Sequence, residues 1–125
     1  MISLNPGMVA PVFSIGSAAA GETGTGGVAG TTFAVSPTPS GHAQENEVTV
    51  EYTEQTAPSS LTLLLEAGNS VDSSGDLQAP LEVLATINTT GEKSIRQKIG
   101  RYRFVRLNLT AMAGASAEVT GKIGM

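Results

Sequence analysis

The stretch of sequence that decides the fold class runs from residue 48 to residue 54 and reads VTVEYTE. Val48, Val50 and Tyr52 alternate with polar side chains, so they fall on one face of an extended chain. Successive side chains of a strand point to opposite faces of its sheet, and this period of two is typical of a strand with one buried face. The stretch therefore predicts a β-strand whose Val48, Val50 and Tyr52 point into a core.

The same alternation recurs toward the C-terminus. LTLLLE at 61–66 and LEVLATI at 81–87 predict two further strands, with the polar loop GNSVDSSGD at 68–76 between them. RYRFVRLNLT at 101–110 and AEVTGKI at 117–123 predict two more. The side chains expected on the core face of the first two are Leu61, Leu63 and Leu65, then Leu81, Val83, Ala85 and Ile87. Five or six short strands at this spacing predict an all-β fold, either an antiparallel β-sandwich or a jelly roll.

The chain before residue 46 differs in composition from the rest. It is rich in Gly, Ala, Ser and Thr, and SPTPSG at 36–41 contains two prolines, which favour extended backbone. Its apolar side chains include Val9, Val12, Phe13, Ile15 and Phe33. A disordered tail usually carries more charge and fewer apolar residues. We therefore predict an extended N-terminal arm at 1–45, whose apolar side chains cover a protein surface, followed by a β-sandwich domain at 46–125.

Charge is divided unevenly along the chain. Residues 1–92 contain ten acidic side chains and no Lys or Arg, whereas residues 93–125 contain seven bases and one acid. Six of the seven bases lie in KSIRQKIGRYRFVR at 93–106. In the strand that follows, Val105, Leu107 and Leu109 are expected to face the core.

Two interpretations of this basic segment stay open. The bases can pair with Glu47, Glu51, Glu54 and Glu66 across the sheet, where each exposed pair adds little stability. They can also form a surface that meets another protein, because Arg and aromatic side chains are typical of interface centres. Both can hold for different residues. The candidate interface residues of this segment are Arg101, Tyr102, Arg103, Phe104 and Arg106.

Residues suited to catalysis or metal binding are sparse. The chain has no Cys, and its single histidine, His42, has no nucleophile pattern near it. GTGGVAG at 24–30 lacks the Lys of a phosphate-binding loop, and the loop with Asp72 and Asp76 lacks the bidentate Glu of a calcium loop. We expect no catalytic residue, no metal site, no cofactor and no enzymatic activity.

Nucleic acid and membrane are not expected as partners. The net charge of −4 and the pI near 4.8 oppose the phosphate contacts that supply most nucleic-acid affinity. The sequence contains no run of about 18 apolar residues, the length that a membrane-spanning helix requires.

Three segments together resemble a known family: SLTLLLEAGNSVDSSGD at 60–76, LEVLATINTTGEKS at 81–94 and RYRFVRLNLTAMAGASAEVTGKI at 101–123. They are similar to the sandwich module of tailed-phage virion proteins over about half of the chain. QAPLEV stands where that module usually has an aromatic residue before its "LAT" strand. The resemblance implies a capsid decoration, or cement, protein. Such proteins are homotrimers on the outer surface of the shell, with extended arms that bind the major capsid protein.

The resemblance leaves an alternative of another class, because carbohydrate-binding jelly rolls share the strand order. In that alternative the protein is a glycan-binding or host-adhesion module of a phage tail or fibre, and loops 67–79 and 111–116 contact sugar. Sugar sites generally use exposed aromatic rings, and the chain has only two Tyr and three Phe. We therefore expect a structural virion protein located at the capsid surface.

Overall fold

A computed structural model of the protein describes residues 2–4, 9–15, 28–35, 46–114 and 117–125, and within them the chain forms ten β-strands and no helix. The strands are β1 (Ile2–Leu4), β2 (Val9–Ile15), β3 (Val28–Ala29), β4 (Phe33–Val35), β5 (Asn46–Thr56), β6 (Ser60–Gly68), β7 (Leu81–Ile87), β8 (Lys93–Gly100), β9 (Phe104–Ala113) and β10 (Glu118–Gly124). The predicted all-β fold class is confirmed.

These strands form two sheets that pack on a common core. Sheet A has the order β1-β4-β9-β6-β7, and β3 pairs with β9 next to the position of β4. Sheet B has the order β2-β10-β5-β8. The pairs are antiparallel except for β1 and β4. From β4 to β10 the chain alternates between the sheets except at the β6–β7 hairpin, which is the connectivity of a jelly roll.

The core lies between the inner faces of the two sheets. Val48, Val50 and Tyr52 are fully buried there, as the alternation of VTVEYTE predicts. The other sheet contributes Leu61, Leu63 and Leu65 from β6 and Val105, Leu107 and Leu109 from β9. Apolar side chains on both inner faces leave water together, which supplies the main favourable free energy of this fold.

Two residues predicted for the core face of β7, Leu81 and Val83, lie on the other side of sheet A. Val83 is 45% exposed, whereas Ile87 on the same strand is 5% exposed. The register of β7 against β6 shifts between Leu65 and Glu66, so that Leu65 faces Ala85 but Glu66 faces Val83. The extra residue in β7 turns Val83, and Leu81 opposite Gly68, to the outer side of sheet A, and their predicted core positions are wrong.

The described strands before residue 46 belong to the same two sheets. β1 and β4 lie at one edge of sheet A, and β2 pairs with β10 at one edge of sheet B. Leu4 and Phe33 are fully buried in the core. The predicted boundary at residue 45 stays a prediction. SPTPSG at 36–41 and His42 lie outside the described residues, as does most of GTGGVAG.

Candidate interaction surface

Four of the predicted interface residues lie together at one end of the sandwich. Arg101, Tyr102 and Arg103 form the connection between β8 and β9, and Phe104 begins β9. Arg101 and Arg103 are exposed, and the guanidinium carbon of Arg103 lies 5.7 Å from the centroid of the Phe104 ring. This distance allows a cation–π contact, because a cation within about 6 Å of a ring face is attracted to it.

The backbone at Arg103 is held from two sides. Its N–H donates to Asn69 Oδ1 at 3.0 Å, and its carbonyl oxygen accepts from the Val35 N–H at 2.8 Å. Tyr102 is anchored too, because its hydroxyl donates to the Glu82 carboxylate on β7. That hydrogen bond is the main cause that raises the pKa of Tyr102 above its ordinary value, with burial and the Glu82 charge contributing less. The two arginines therefore extend from a fixed stretch of backbone.

Arg106 lies further along β9, on the outer side of sheet A. Its Nε donates to Glu66 Oε1 on β6 at 2.8 Å, and its Nη1 donates to the Leu77 carbonyl oxygen at 3.3 Å. The Arg106 and Glu66 side chains are only 14% and 7% exposed. For Arg106, the pairing predicted between bases and acids across the sheet is present within the subunit.

The connection at 69–80 encloses this ion pair. Leu77 is 5% exposed, and its N–H donates to Thr32 Oγ1 at 3.0 Å. Gly68 makes this path possible, because a Cβ there would lie 3.1 Å from Leu77 Cδ1 and 3.2 Å from the Pro80 carbonyl oxygen. The connection thus joins β6, β9 and the segment before β4 on the outer side of sheet A.

The remaining predicted interface residues lie elsewhere. Phe33 is fully buried between the sheets, so its side chain is part of the subunit's own core. The backbone of β2 pairs with β10 at the edge of sheet B. The side chains of Val9, Val12, Phe13 and Ile15 lie outside what the structure describes. The structure therefore groups Arg101, Tyr102, Arg103 and Phe104, places Arg106 beside them, and separates Phe33 from them. Their interface role stays a prediction.

Sequence reasoning missed the outer face of sheet A. Its outward side chains include Thr62, Leu64 and Glu66 on β6, Leu81, Val83 and Thr86 on β7, and Phe104, Arg106, Asn108 and Ala111 on β9. Thr86, Leu64 and Asn108 stand side by side in register, and so do Val83, Glu66 and Arg106. Leu64 was a signal in the sequence, since it occupies a polar position of the alternating stretch LTLLLE.

The outer face of sheet B has a different character. It carries the charged side chains Glu47, Glu51, Arg96, Lys98 and Lys122. Arg96 Nε lies 3.7 Å from Glu47 Oε1, and the two side chains are 76% and 42% exposed. Glu51 stands opposite Lys122 in register. Mixed charges at this exposure are typical of a face in contact with water.

A buried tyrosine fixes the turn between β7 and β8. The Tyr52 hydroxyl donates to Glu54 Oε2 at 2.7 Å, and Glu54 Oε1 accepts from the Gly91 N–H at 2.9 Å. Gly91 has a φ of 106°, which favours glycine. Burial raises the pKa of Tyr52 far above its ordinary value, and the hydrogen bond and charge of Glu54 raise it further. These contacts stabilise the turn.

Two other features are absent from the described part of the chain. Within it, no group of three or more His, Asp and Glu side chains is arranged to hold a metal ion. The same residues include no helix of the length and hydropathy needed to cross a membrane.

Comparison with known proteins gives one structural likeness. No protein-family model and no curated protein matches the chain. Among solved structures, the crystal structure of the SPBc2 prophage-derived protein YomS is similar, with a TM-score of 0.47 and 16% sequence identity. The match covers 97% of this chain and 98% of that one. This structural neighbour is thus a phage-derived protein.

Proposed function

We propose that the protein is a structural component of a phage virion that binds the outer surface of the capsid as an oligomer and stabilises the shell. The proposal draws on the family resemblance of residues 60–76, 81–94 and 101–123. The same resemblance implies a homotrimer and a contact with the major capsid protein. The proposed location is the capsid surface.

The observation that carries the proposal is the group of Arg101, Arg103 and Phe104 at one end of the sandwich. Arg and aromatic side chains are enriched at protein interfaces, where a few such residues supply most of the binding energy. A hydrogen bond from the Arg103 N–H to Asn69 Oδ1 and one from the Val35 N–H to the Arg103 carbonyl oxygen hold this backbone in place. Little backbone freedom is then lost when the arginines meet a partner, which favours affinity.

Two arginines suit a shell contact in a second way. Exposed cations near an interface speed the encounter with an acidic surface more than they strengthen the final complex. A shell presents many identical sites, so a modest affinity for each site is sufficient when linked copies bind together. We propose that Arg101 and Arg103 contact acidic side chains of the major capsid protein. The proposal includes no enzymatic activity, no cofactor, and no nucleic-acid or membrane partner.

The glycan-binding alternative receives less support from the loops. Asn69 Oδ1 accepts the hydrogen bond from the Arg103 N–H, and Asp72 Oδ1 accepts from the N–H groups of Ser74 and Asp76. These polar oxygens are used inside the subunit, which leaves fewer of them for sugar hydroxyls. We therefore favour the capsid surface over a sugar ligand.

Co-sedimentation with phage shells tests the proposal. Shells assembled from the major capsid protein encoded in the same genome as this chain are mixed with the full-length protein and pelleted. We expect saturable binding that weakens as salt rises, because screening acts on exposed charges. The Arg101→Glu/Arg103→Glu variant should bind at least about tenfold more weakly, the loss expected for about 1.4 kcal/mol.

A matched control separates local from general charge effects. Arg96→Glu/Lys122→Glu makes the same change in net charge on the outer face of sheet B, and it should bind about as well as the natural chain. If the natural chain does not pellet with the shells, the proposed function is wrong. If it pellets and both variants bind equally, the role assigned to Arg101 and Arg103 is wrong.

A further inference from the structure

One edge of sheet B is long and regular. Strand β8 spans Lys93–Gly100, and among the described strands it has a neighbour, β5, on one side only. The residues of β8 from Lys93 to Lys98 pair with β5 without a shift in register. Alternate residues of an edge strand direct their N–H and C=O groups away from the sheet. This edge therefore presents a regular row of backbone donors and acceptors.

The other sheet edges are less suited to pairing with an added strand. Strand β1 has three residues, and β2 contains Pro11 and pairs with β10 through a register shift. Strand β7 has an extra residue where it passes Leu65 and Glu66. Short strands, proline and bulges each oppose edge pairing. In the described part of the chain, β8 is therefore the edge that best fits an extended partner.

The side chains of β8 divide between its two faces. Ser94, Arg96 and Lys98 are exposed on the outer face, whereas Ile95 packs against the core and is only half-buried. Leu84, on the neighbouring edge strand of sheet A, is also half-buried against the core. The strand contains three bases and no acid. An added strand would therefore meet bases on its outer side and apolar groups on its inner side.

Strand β5 shows which side chains fit beside β8. On the outer face, Glu47 lies opposite Lys98, and Glu47 Oε1 lies 3.7 Å from Arg96 Nε. On the inner face, Val50 lies opposite Ile95. A strand on the other side of β8 meets the same β8 side chains, and opposite charges placed across neighbouring strands are favourable. The same alternation of acidic and apolar residues therefore fits the open side.

The charges of β8 also decide between partners. Two β8 edges paired with each other would bring the bases of one copy against those of the other, and like charges across strands are unfavourable. The N-terminal segment 1–45 has Glu22 and Glu45 as its acids, so it lacks acids at alternate positions. Strand β5, which has them, lies inside sheet B. These charges select an acidic segment of another protein over a second copy of this chain.

We propose that the open edge of β8 binds an extended segment of another protein, in which acidic side chains alternate with apolar ones, and adds it to sheet B as a further strand. Backbone hydrogen bonds hold the segment, and the charges of Arg96 and Lys98 select it. The edge is separate from Arg101 and Arg103. This contact therefore goes beyond the proposed binding to the shell and does not depend on it.

A synthetic peptide with the sequence of residues 46–54, NEVTVEYTE, is the probe, because it has the alternation that β8 accepts from β5. The fluorescein-labelled peptide is titrated with the full-length protein and followed by fluorescence anisotropy. We expect saturable binding with a Kd below about 1 mM that weakens as salt rises. Hydrogen exchange followed by NMR should become slower at alternate backbone N–H groups of β8, because an added strand pairs with them.

Two altered peptides separate charge from backbone pairing. A peptide with lysine at its three glutamate positions should bind at least about tenfold more weakly, because like charges then lie across the strands. A second peptide has proline at the positions of Thr49 and Val50 and keeps every charge. Neighbouring residues of a strand direct their N–H groups to opposite sides, so one of these prolines removes a donor to β8. Its binding should fall by at least about tenfold as well.

Two variants of the protein test the role of the bases. Arg96→Glu should weaken binding of the unaltered peptide at least about tenfold. Lys122→Glu is the matched control, because it reverses one exposed charge on the same face of sheet B but two strands away from β8. It should bind the peptide like the natural chain. Circular dichroism checks that each variant keeps its fold.

The proposal is overturned if the unaltered peptide shows no saturable binding up to about 1 mM, or if the proline peptide binds equally well. It is also overturned if no N–H group of β8 exchanges more slowly with peptide bound. Equal binding by the Arg96→Glu and Lys122→Glu variants would show that the bases of β8 do not select the segment. The shell experiment uses no peptide, so it decides the proposed function separately.

Discussion

The two outer faces of the sandwich each carry an Arg–Glu pair between neighbouring strands, yet the pairs differ in their surroundings. Arg106 and Glu66 on sheet A are 2.8 Å apart, with side chains 14% and 7% exposed. Arg96 and Glu47 on sheet B are 3.7 Å apart, with side chains 76% and 42% exposed. The residue types are the same in both pairs. The difference teaches that burial, and not residue type, decides what an ion pair contributes to the free energy of unfolding.

One connection of the chain buries the Arg106–Glu66 pair. The segment at 69–80 places Leu77 beside the Arg106–Glu66 pair, and the Leu77 carbonyl oxygen accepts a hydrogen bond from Arg106. Water is excluded there, and the charges interact in a medium of low polarity. The Arg96–Glu47 pair has water around both side chains, where salt and solvent screen the attraction.

The largest effect on stability is expected for Arg106→Met. The change leaves the Glu66 carboxylate buried without its cation and removes a donor from the Leu77 carbonyl oxygen. Removing one partner of a buried pair costs about 3–5 kcal/mol. Urea unfolding followed by circular dichroism measures the free energy of unfolding.

The double variant Glu66→Met/Arg106→Met is the control for this prediction. It removes both charges and leaves apolar groups of similar volume, so it should recover most of the lost free energy of unfolding. If Arg106→Met is as stable as the natural chain, the Arg106–Glu66 pair contributes no more to the free energy of unfolding than the exposed Arg96–Glu47 pair.

The sequence predicts the inner faces of this sandwich better than its outer ones. Val48, Val50, Tyr52, Leu107 and Leu109 reach the core because a period of two places all of them on one side of their strands. Leu81 and Val83 do not, because one extra residue in β7 reverses the direction of their side chains, and the alternation of LEVLATI gives no sign of it. A prediction from alternation alone therefore assigns the wrong face to the side chains on the far side of a bulge.

The candidate interaction surface is likewise predicted only in part by the sequence. Arg101, Arg103 and Phe104 are close in sequence, so their grouping follows from the sequence alone. The outer face of sheet A depends on the register of β6 against both β7 and β9, and its enclosed ion pair joins Glu66 and Arg106, forty positions apart. Neither the register nor the path of the connection at 69–80 follows from residue types, so this face becomes visible only in the fold.

Two hydrogen bonds between a tyrosine and a glutamate show the same contrast between buried and exposed groups. Their expected effect on the free energy of unfolding is intermediate in size. Tyr52 is buried and donates to Glu54, whereas Tyr102 is partly exposed and donates to Glu82. The pKa of Tyr52 is raised above its ordinary value of 10.0, mainly by burial. Above pH 10 the unfolded chain releases a proton that the folded chain retains, so stability is full below pH 10 and falls as pH rises.

The expected slope is about 1.4 kcal/mol per pH unit above pH 10 for this one group. Tyr52→Phe should flatten the loss of stability between about pH 9 and pH 11, measured by urea unfolding at each pH. Tyr102→Phe is the matched control and should flatten it less, because water surrounds its hydroxyl. Equal curves for the two variants would show that burial does not distinguish these tyrosines.

The smallest effect is expected at the exposed pair on sheet B. Arg96→Ala should lower the free energy of unfolding by less than about 1 kcal/mol, because exposed ion pairs contribute about 0–1 kcal/mol. In about 1 M salt, where the screening length is about 3 Å, the difference from the natural chain should shrink further. Arg106→Met measured in the same salt should keep most of its effect, since its partner is enclosed. The contrast between the two outer faces would fail if the two substitutions lost their effects equally in salt, because both pairs would then be open to water.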